Sequence, residues 1–352
     1  MADSIGGANN GRVGVGVVGT GGMGAMHARS LHRKVTAARV AAVSDVDAER
    51  AGKVAEECGS AAVFADAVEL IRDDSVEAVV IASPDPTHAP LTLECLRLGK
   101  PILCEKPLAV SSAEALELVE AEVGLGEQLV QVGFMRRYDP QHVDVKNVAA
   151  SGTIGQPVLF KGWHRNAEIP PGADSEWVVI NAAIHDLDSA RWMLSGEIEE
   201  VFVRGMNTTG SPDGGFDLQL IQLFLTGGCL ATIEVNVHAG FGYEVGVEVV
   251  GTRGTANTAP SSGAIIRLDR ASSQKIDADW LERFEPAYVL ELQGWIESVV
   301  SGRPGGPDAW DGYASLVAAE ACIASIRSGK PEGVAVPEKP SLYEREGSGV
   351  AR

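Results

Sequence analysis

The sequence is poor in cysteine, in basic residues and in long apolar runs. Five cysteines are spread over 352 residues without a CxxC pair, which argues against a disulfide framework or a zinc cage and for a reducing compartment. Lys and Arg number 29 against 48 Asp and Glu, a net charge of −19. Such a surface repels phosphate backbones, so we expect neither a nucleic-acid partner nor an anionic-membrane partner.

No apolar stretch approaches the roughly 18 residues that a membrane span needs. The first residues, MADSIGGANNGR, lack the basic and apolar regions of a signal peptide. Together with the cysteine usage, this predicts a cytoplasmic protein. Glycine is abundant, with 41 residues that mostly separate short apolar runs. At about 150 residues per domain, the length predicts two domains or one large one.

The first third of the chain alternates two kinds of segment. Short valine-rich runs predict strands buried on both faces of a parallel sheet: Val13–Val18, Val40–Val43, Ala78–Ala82 and Leu129–Phe134. Helical stretches separate them: Met23–Arg33, Ala48–Cys58, Leu91–Leu98 and Ala113–Val123. Repeated βα units predict a doubly wound α/β domain of the Rossmann type over residues 12–136, after a disordered tail at 1–11.

Beyond residue 136 strands follow one another without helices, which predicts a second, α+β domain over 137–330 with an open, largely antiparallel sheet. The expected strands are Pro157–His164, Glu199–Met206, Leu218–Leu225, Leu230–Val237, Tyr243–Gly251 and Ala264–Leu268. Two late helices, Tyr288–Ser301 and Ala309–Ser328, are expected to cover this sheet. Residues 331–352 are rich in Pro, Glu, Gly and Ser, so we expect an extended tail.

A glycine-rich turn follows the first predicted strand and leads into the first helix. It reads Gly19-Thr20-Gly21-Gly22-Met23-Gly24. In a G-x-G-x-x-G turn, the first glycine permits the sharp turn, the second lets the backbone approach a pyrophosphate, and the third lets helix and strand pack closely. The helix N-terminus then offers free N–H groups to the phosphates. The sequence therefore predicts a dinucleotide site.

Asp45 ends the next strand, 26 residues after Gly19. A carboxylate near this spacing accepts hydrogen bonds from the ribose diol of NAD and repels the 2′-phosphate of NADP. We therefore expect NAD as the cofactor. Because Arg50 lies nearby, NADP stays open.

Polar groups also follow later strands, at the carboxyl edge of the sheet where ligands bind in such folds. Ser83-Pro84-Asp85-Pro86-Thr87-His88 follows one strand, and Glu105-Lys106-Pro107 follows the next. The Lys-Pro bond is a candidate for the cis form. We expect Ser83, Thr87, His88, Glu105 and Lys106 to line the cofactor site. Further on, Asn181 and His185 are four residues apart, a spacing that shares one face of a helix.

In this order the motifs resemble the glucose–fructose oxidoreductase/inositol dehydrogenase (Gfo/Idh/MocA) family over residues 12–330. The runs Gly133-Phe134-Met135-Arg136-Arg137-Tyr138-Asp139 and His164-Arg165-Asn166 are most similar to those of the myo-inositol dehydrogenases in the family. The resemblance implies NAD-dependent oxidation of a ring hydroxyl to a ketone, and homo-oligomers that are commonly tetramers. It places Lys106, His185 and Asn181 at catalytic positions, and Arg136, Asn166 and Tyr243 at substrate positions.

One departure concerns the helix with His185, where the family usually carries Asp and this sequence has Asn181. An amide can bond a hydroxyl but cannot stabilise an imidazolium by charge. Three interpretations are open: His185 works with less electrostatic help, Asp186 or Asp188 supplies the charge, or the substrate is not myo-inositol. The alternatives in function are a dehydrogenase or NAD(P)-dependent reductase for another inositol isomer or a sugar, and a catalytically silent dinucleotide sensor.

The expected chemistry is reversible oxidation of a secondary alcohol of a polyol. His185 is the best candidate for the base because the reference pKa of histidine, near 6.5, is close to working pH. Lys106 would stabilise developing alkoxide charge. The remaining histidines show no metal-ligand spacing, so no metal is expected.

Overall fold

The computed structural model describes residues 11–168, 170, 172–210, 215–259 and 264–344. These residues form two compact units. Unit 1 comprises the chain up to Gly133, Tyr288–Tyr313 and the segment from Glu338 onward, and unit 2 comprises Phe134–Ala287 and Ala314–Pro337. Apart from Gly11, the tail expected at 1–11 lies outside the described residues.

Unit 1 is built on a six-stranded parallel sheet with the strand order β3-β2-β1-β4-β5-β6. Its strands are β1 (Val13–Val18), β2 (Ala38–Ser44), β3 (Ala62–Phe64), β4 (Ala78–Ile81), β5 (Ile102–Cys104) and β6 (Val130–Val132). The helices between them are α1 (Gly22–Lys34), α2 (Ala48–Glu57), α3 (Ala67–Arg72), α4 (His88–Arg97) and α5 (Ser112–Leu125). The doubly wound fold is confirmed; β3 and α3 were missed.

Burial and capping explain these elements. All four residues of β4 are buried, as expected for a strand covered on both faces. Asp47 caps α2 by accepting a hydrogen bond from the N–H of Arg50, and Ser111 caps α5 by accepting from the N–H of Glu114. Each cap satisfies an N–H group that the first turn of the helix leaves without an intrahelical partner.

Unit 2 is built on a seven-stranded mixed sheet with the order β12-β11-β7-β10-β9-β8-β15. Its strands are β7 (Pro157–Arg165), β8 (Ile198–Met206), β9 (Leu218–Leu225), β10 (Cys229–Asn236), β11 (Glu244–Gly251), β12 (Thr255–Asn257) and β15 (Glu332–Gly333). Only the β7–β10 pairing is parallel among those described. A separate hairpin pairs β13 (Ile265–Leu268) with β14 (Ala271–Gln274).

The helices of unit 2 cover one face of this sheet. They are α6 (Pro140–Ala150), α7 (Ser175–Val178) and α8 (Ile184–Leu194), with a π-helical segment at Val179–Ala183. Along β9, Ile221, Leu223 and Leu225 are buried while Leu220 and Phe224 are exposed. The alternation shows that one face packs on the core and the other faces outward. Within the described ranges, every helix is too short or too polar to cross a membrane.

One of the two late helices departs from the sequence prediction, whereas Ala309–Ser328 packs Ala318, Ala319 and Cys322 in the core of unit 2 as expected. The first, α9 (Trp280–Ser301), begins before Tyr288, and the second, α10 (Ala309–Ser328), has the expected bounds. Leu292, Trp295 and Ile296 of α9 are buried in the core of unit 1. The prediction that this part of the helix covers the second sheet is therefore wrong, because its apolar face completes the other core.

Residues 331–344 of the predicted extended tail carry a two-residue strand and a 3₁₀ turn, and they contact the rest of the chain. Glu332 and Gly333 form β15 beside β8. Tyr343 is 1% exposed, and its hydroxyl donates a hydrogen bond of 2.8 Å to Glu122 Oε2 in unit 1. Gln128 Nε2 also donates to the Leu342 carbonyl oxygen at 2.8 Å, and composition alone does not show such contacts. Residues 345–352 lie outside the described part of the chain.

Candidate active site

The glycine loop connects β1 to α1 in unit 1. Gly19 has φ +85°, and a Cβ there would lie 2.6 Å from the carbonyl oxygen of Ala82. A Cβ on Gly24 would lie 1.8 Å from the carbonyl oxygen of Gly19. Both positions require glycine for the turn and for close packing of helix and strand.

The middle of the loop is open. A Cβ built on Gly21 or Gly22 meets no atom of the described residues within 4 Å. Gly21 is the N-cap of α1, and none of the described side chains caps this helix end. Thr20 is buried and Met23 half-buried. The uncapped N–H groups and the positive end of the helix dipole fit a pyrophosphate, so the loop is suited to a dinucleotide.

Asp45 lies against this loop. Its Oδ2 accepts hydrogen bonds from the N–H of Thr20 at 2.6 Å and from Thr20 Oγ1 at 2.8 Å. The Arg50 guanidinium donates to both carboxylate oxygens. Burial alone would raise the pKa of Asp45, but the bonds from Arg50, Asp47 N–H and Thr20 outweigh it and hold the pKa well below its usual range. Asp45 is therefore an ionised acceptor beside the loop.

His88 bridges the two loops that follow β4 and β5. Its Nδ1 lies 2.7 Å from the Pro107 carbonyl oxygen and its Nε2 lies 2.8 Å from the Ser83 carbonyl oxygen. Carbonyl oxygens only accept, so both bonds form only in the imidazolium. Burial lowers the pKa of His88, but Cys104 and the two carbonyls outweigh it and raise the pKa to about 10. Ser83 and Thr87 bond to each other through their hydroxyls at 2.6 Å.

This charged bridge predicts a pH-dependent contribution to stability. Because the folded pKa is raised, the stabilisation is fully present below the unfolded pKa of about 6.5 and is lost as the pH rises through about 10. We expect the loss of melting temperature in H88Q to be largest near pH 6 and to shrink toward pH 10. Thermal melts across this range measure it, with H32Q at an exposed histidine as the control. A pH-independent difference would contradict a cationic His88.

Glu105 and Lys106 follow β5, and the Lys106–Pro107 bond is cis. Lys106 is half-buried. The Glu105 carboxylate turns into the protein, where Oε1 lies 2.7 Å from Nε2 of His27 and Oε2 accepts from the Lys106 N–H at 3.3 Å. Glu105 is therefore held behind the strand end, and Lys106 is the residue of this motif with the more accessible side chain.

Asn181 and His185 lie in unit 2 on one continuous helical stretch. Asn181 belongs to the π-helical segment, and His185 lies in the first turn of α8. A π-helical turn is wider than an α-helical turn, so the four-residue spacing does not have its ordinary α-helical meaning here. Asn181 Nδ2 donates to the Trp177 carbonyl oxygen at 3.2 Å. The buried His185 ring packs edge-on against Phe134, 6.0 Å between centroids.

Arg136 belongs to a buried network in unit 2. It is 1% exposed, and it donates to Asp186 Oδ1 at 2.5 Å. His164 Nδ1 lies 3.0 Å from both Arg136 Nη2 and Asp186 Oδ2. Burial would raise the pKa of Asp186, but Arg136 and His164 outweigh it and lower the pKa. These contacts favour a positioning role for Arg136 over direct contact with substrate.

Asp188 is engaged by arginine as well. Arg137 donates to Asp188 Oδ2 at 3.0 Å and to Oδ1 at 2.5 Å, and Arg191 Nη1 lies 3.9 Å from Oδ1. The charges of Asp186 and Asp188 are thus balanced by arginines. This disfavours the interpretation in which one of them replaces the aspartate expected beside His185.

Asn166 and Tyr243 complete the candidate substrate residues. Asn166 follows β7, and its Oδ1 is buried without a hydrogen-bond partner among the described residues. An unsatisfied buried acceptor is costly unless a ligand or water donates to it. The Tyr243 hydroxyl lies 3.4 Å from His164 Nε2, and its ring packs edge-on against that histidine. Burial raises the pKa of Tyr243, so the phenol stays protonated.

The sequence did not indicate the roles of three buried histidines, of which His142 bonds Asp139 Oδ2 through its Nδ1 at 2.6 Å. His27 bonds Glu105 in unit 1, and His164 joins Arg136, Asp186 and Tyr243 in unit 2. The signal for His164 was its position two and four residues after the inward-facing Gly162 and Phe160 of β7, a spacing that keeps one face of a strand. Within the described ranges, we find no cluster of side chains suited to hold a metal ion.

Two family models match the chain. Residues 13–134 match the oxidoreductase family with an NAD-binding Rossmann fold, and residues 142–257 match the GFO/IDH/MocA C-terminal domain. Inositol 2-dehydrogenase of Rubrobacter xylanophilus is 64% identical over 95% of this chain and 97% of its own length. Inositol 2-dehydrogenase 1 of Saccharopolyspora erythraea is 45% identical over 94% of this chain and 98% of its own length.

A solved structure is similar over its full length. The myo-inositol dehydrogenase of Lactobacillus casei, in complex with NAD(H) and myo-inositol, matches with a TM-score of 0.91 and 32% identity. The match covers 95% of this chain and 100% of that chain. The chain therefore belongs to the GFO/IDH/MocA family of NAD-binding oxidoreductases, which confirms the family and enzyme class expected from the motifs.

Proposed function

We propose that this chain is an NAD-dependent dehydrogenase that oxidises the 2-hydroxyl of myo-inositol to a ketone. The observation that carries the proposal is the 64% identity to an inositol 2-dehydrogenase over 95% of the chain. At that identity, with the glycine loop, Lys106 and His185 all present, a shared substrate class is the simplest reading.

NAD is proposed over NADP because of Asp45. The carboxylate is ionised and close to the glycine loop, where it would accept from a ribose diol and repel a 2′-phosphate. Arg50 is already engaged by both oxygens of Asp45, so its charge is compensated. Bound NAD would supply the hydride acceptor, and the loop, Asp45, Ser83, Thr87 and His88 would hold or shape its site.

In the reaction, the protein accepts the hydroxyl proton and stabilises the negative charge that develops on the reacting oxygen. Lys106 donates a hydrogen bond to the reacting oxygen and stabilises the negative charge that develops there. His185 accepts the hydroxyl proton; a histidine base has a reference pKa near 6.5, which suits neutral pH. Each role is worth roughly 10²–10⁴ in rate.

The other hydroxyls of the ring need partners of their own. Asn166 Oδ1 is a buried acceptor without a partner among the described residues, which suits a hydroxyl donor. Asn181 offers an amide to a second hydroxyl. Arg136 and Tyr243 position the His164 ring, because the Arg136 guanidinium contacts its Nδ1 and the Tyr243 hydroxyl contacts its Nε2. Polyol recognition is strong when each buried polar group is matched, since an unmatched one is penalised.

The role of Asn181 is tested by replacing it with the aspartate that the family usually carries at this position. We expect N181D to keep or raise kcat on myo-inositol, by up to about tenfold, because a charge beside an imidazolium stabilises it by roughly 1 kcal/mol or more. Steady-state kinetics of N181D and N181A measure the effect. Complete loss of activity in N181D would show that the site is built around the amide, which favours another substrate.

Two broader features belong to the same proposal. All five cysteines are free thiols, which supports a reducing, cytoplasmic setting.

Phe224 and Leu230 pair across β9 and β10 on the exposed face of the second sheet, and Leu220 lies on the same strand face. An apolar sheet face supports assembly into a homotetramer. Light scattering should then give about four times the 36.9 kDa chain mass, and a monomer would refute it.

A substrate panel tests the function itself. Purified protein is incubated with myo-inositol, other inositol isomers and common aldoses, with NAD or NADP, and reduced nicotinamide is followed by absorbance. We expect the highest kcat/KM with myo-inositol and NAD. Preference for another cyclitol or for a sugar would support the alternative dehydrogenases. NAD binding by calorimetry without turnover on any polyol would support the silent sensor.

A further inference from the structure

Unit 1, which carries Lys106, holds three buried ionisable side chains: His27 of α1, Glu105 after β5 and Glu291 of α9. His27 and Glu291 are 0% exposed and Glu105 is 7% exposed. All three side chains are therefore almost completely shielded from water. Buried charges are costly unless paired, so the arrangement has to be explained.

Glu105 connects the glycine-loop helix to the strand end that carries Lys106. Its Oε1 lies 2.7 Å from His27 Nε2, and its Oε2 accepts from the Lys106 N–H. Gly133, directly after β6, leaves room for the Glu105 carboxylate, because a Cβ on Gly133 would lie 2.8 Å from Oε2. The His27 ring is itself held edge-on by Tyr288 of α9, 5.9 Å between centroids. The carboxylate is thus held by His27 of α1 and by the Lys106 N–H, and it packs closely against Gly133 after β6. Because the Lys106 N–H is one of these contacts, the position of Glu105 constrains the backbone of Lys106.

Glu291 is the unusual member. Both of its carboxylate oxygens are buried without a hydrogen-bond partner among the described residues. It lies one helical turn before Trp295, whose side chain packs in the same core as Leu103 of β5. Leu103 and Glu105 are two apart and share one face of the strand. Gln131 of β6 is paired with Leu103 and adds an uncharged amide to this layer.

Charge decides which of the two carboxyl groups keeps a proton. Burial and then the nearby charge of Glu105 raise the pKa of Glu291 well above its ordinary value. Glu105 has an imidazole and an N–H to bond its anion, whereas Glu291 has neither among the described residues. The proton therefore stays on Glu291. The titratable groups that the contacts bring to this layer are His27, Glu105, Tyr288 and Glu291.

We propose that His27, Glu105 and Glu291 form a positioning unit for Lys106 that works only while Glu291 is protonated, which makes the enzyme lose activity at alkaline pH. When Glu291 ionises, a second negative charge appears beside Glu105 in a dry layer. Glu105 is repelled from its position between His27 and the Lys106 N–H. Lys106 then loses its placement, and kcat falls while NAD still binds. The inference rests on the role proposed for Lys106.

The E291Q variant tests this, since glutamine has nearly the same shape and cannot ionise. We expect the alkaline fall of kcat on myo-inositol to shift upward by at least one pH unit or to vanish, with KM for NAD unchanged within about twofold. E297Q, at an exposed glutamate of the same helix, should follow the wild-type profile. An E291Q profile identical to wild type, or one lowered equally at every pH, would overturn the proposal.

A second measurement needs no catalysis. A carboxyl with a raised folded pKa binds more protons in the folded state than in the unfolded state, so it destabilises the protein as the pH rises above the unfolded pKa of about 4.3. E291Q should therefore melt at a higher temperature than wild type near pH 9, and the gain should shrink toward pH 5. If K106M proves fully active but this pattern holds, the cluster stands and the role of Lys106 fails. A gain that is absent at pH 9 would overturn the cluster itself.

Discussion

We expect K106M to lower kcat on myo-inositol by about 10³-fold and to leave the dissociation constant for NAD within about threefold of wild type. Methionine keeps the length and apolar stem of the lysine and removes only the ammonium group. The loss corresponds to ~4 kcal/mol of transition-state stabilisation, the size expected when one charge-stabilising donor is removed. Steady-state kinetics and calorimetric titration with NAD measure the two quantities.

The control for this variant is K53M, which alters an exposed lysine of α2 in the same unit. It should match wild type in both measurements. K106R is informative as well, because it restores a positive charge with a different shape and should recover only part of the loss. A K106M enzyme with near-normal kcat would remove Lys106 from the reaction.

We expect H185Q to lower kcat by roughly 10²–10⁴-fold, the size of the loss when a general base is removed. The pH profile gives the sharper readout. If His185 accepts the proton, wild-type kcat/KM falls on the acid side as the imidazole becomes protonated, and H185Q lacks that acid limb because glutamine does not titrate. Initial rates between pH 5 and pH 10 measure both profiles.

The folded contacts of His185 make this test specific. Its ring packs against Phe134 and its carbonyl accepts from Ser189 Oγ, and a glutamine keeps the backbone contact. A thermal melt of H185Q close to wild type confirms that the fold is intact. An acid limb that persists unchanged in H185Q would assign the base to another group.

Much of the fold could be predicted because the signals were local. The strand Val13–Val18, the strand Leu218–Leu225 and the helix Ala309–Ser328 have the predicted bounds, since glycine, proline or aspartate residues lie near the ends of each. The glycine loop was readable for the same reason. Gly19 has a positive φ, and Gly24 packs against the carbonyl oxygen of Gly19, so both requirements arise within the loop itself.

The errors came from contacts between distant parts of the chain. The sequence shows that α9 is amphipathic, but not that Trp295 packs against the first sheet instead of the second. Tyr343 docks on Glu122 from a stretch whose composition indicates a loose tail. The π-helical segment at Val179–Ala183 is likewise invisible to a four-residue spacing rule.

The site residues named from the sequence stay predictions, and the sequence did not show how their charges are paired. Arg136 was expected to contact substrate, and in the structure it is paired with Asp186 and His164 inside unit 2. Asp188 is paired with Arg137. Arg136 and Asp186 are 50 residues apart in the sequence, so neighbouring residues do not reveal that they form an ion pair. Only the fold shows that the negative charges beside His185 are already balanced.

The most direct test of the account is the fate of the hydrogen on the reacting carbon. Myo-inositol deuterated at carbon 2 is incubated with the enzyme and NAD, and the reduced cofactor is analysed by mass spectrometry. The account predicts one deuterium in each reduced nicotinamide and a 2-ketone of inositol in equal amount. Reduced cofactor without deuterium, or deuterium retained in the polyol after turnover, would contradict it.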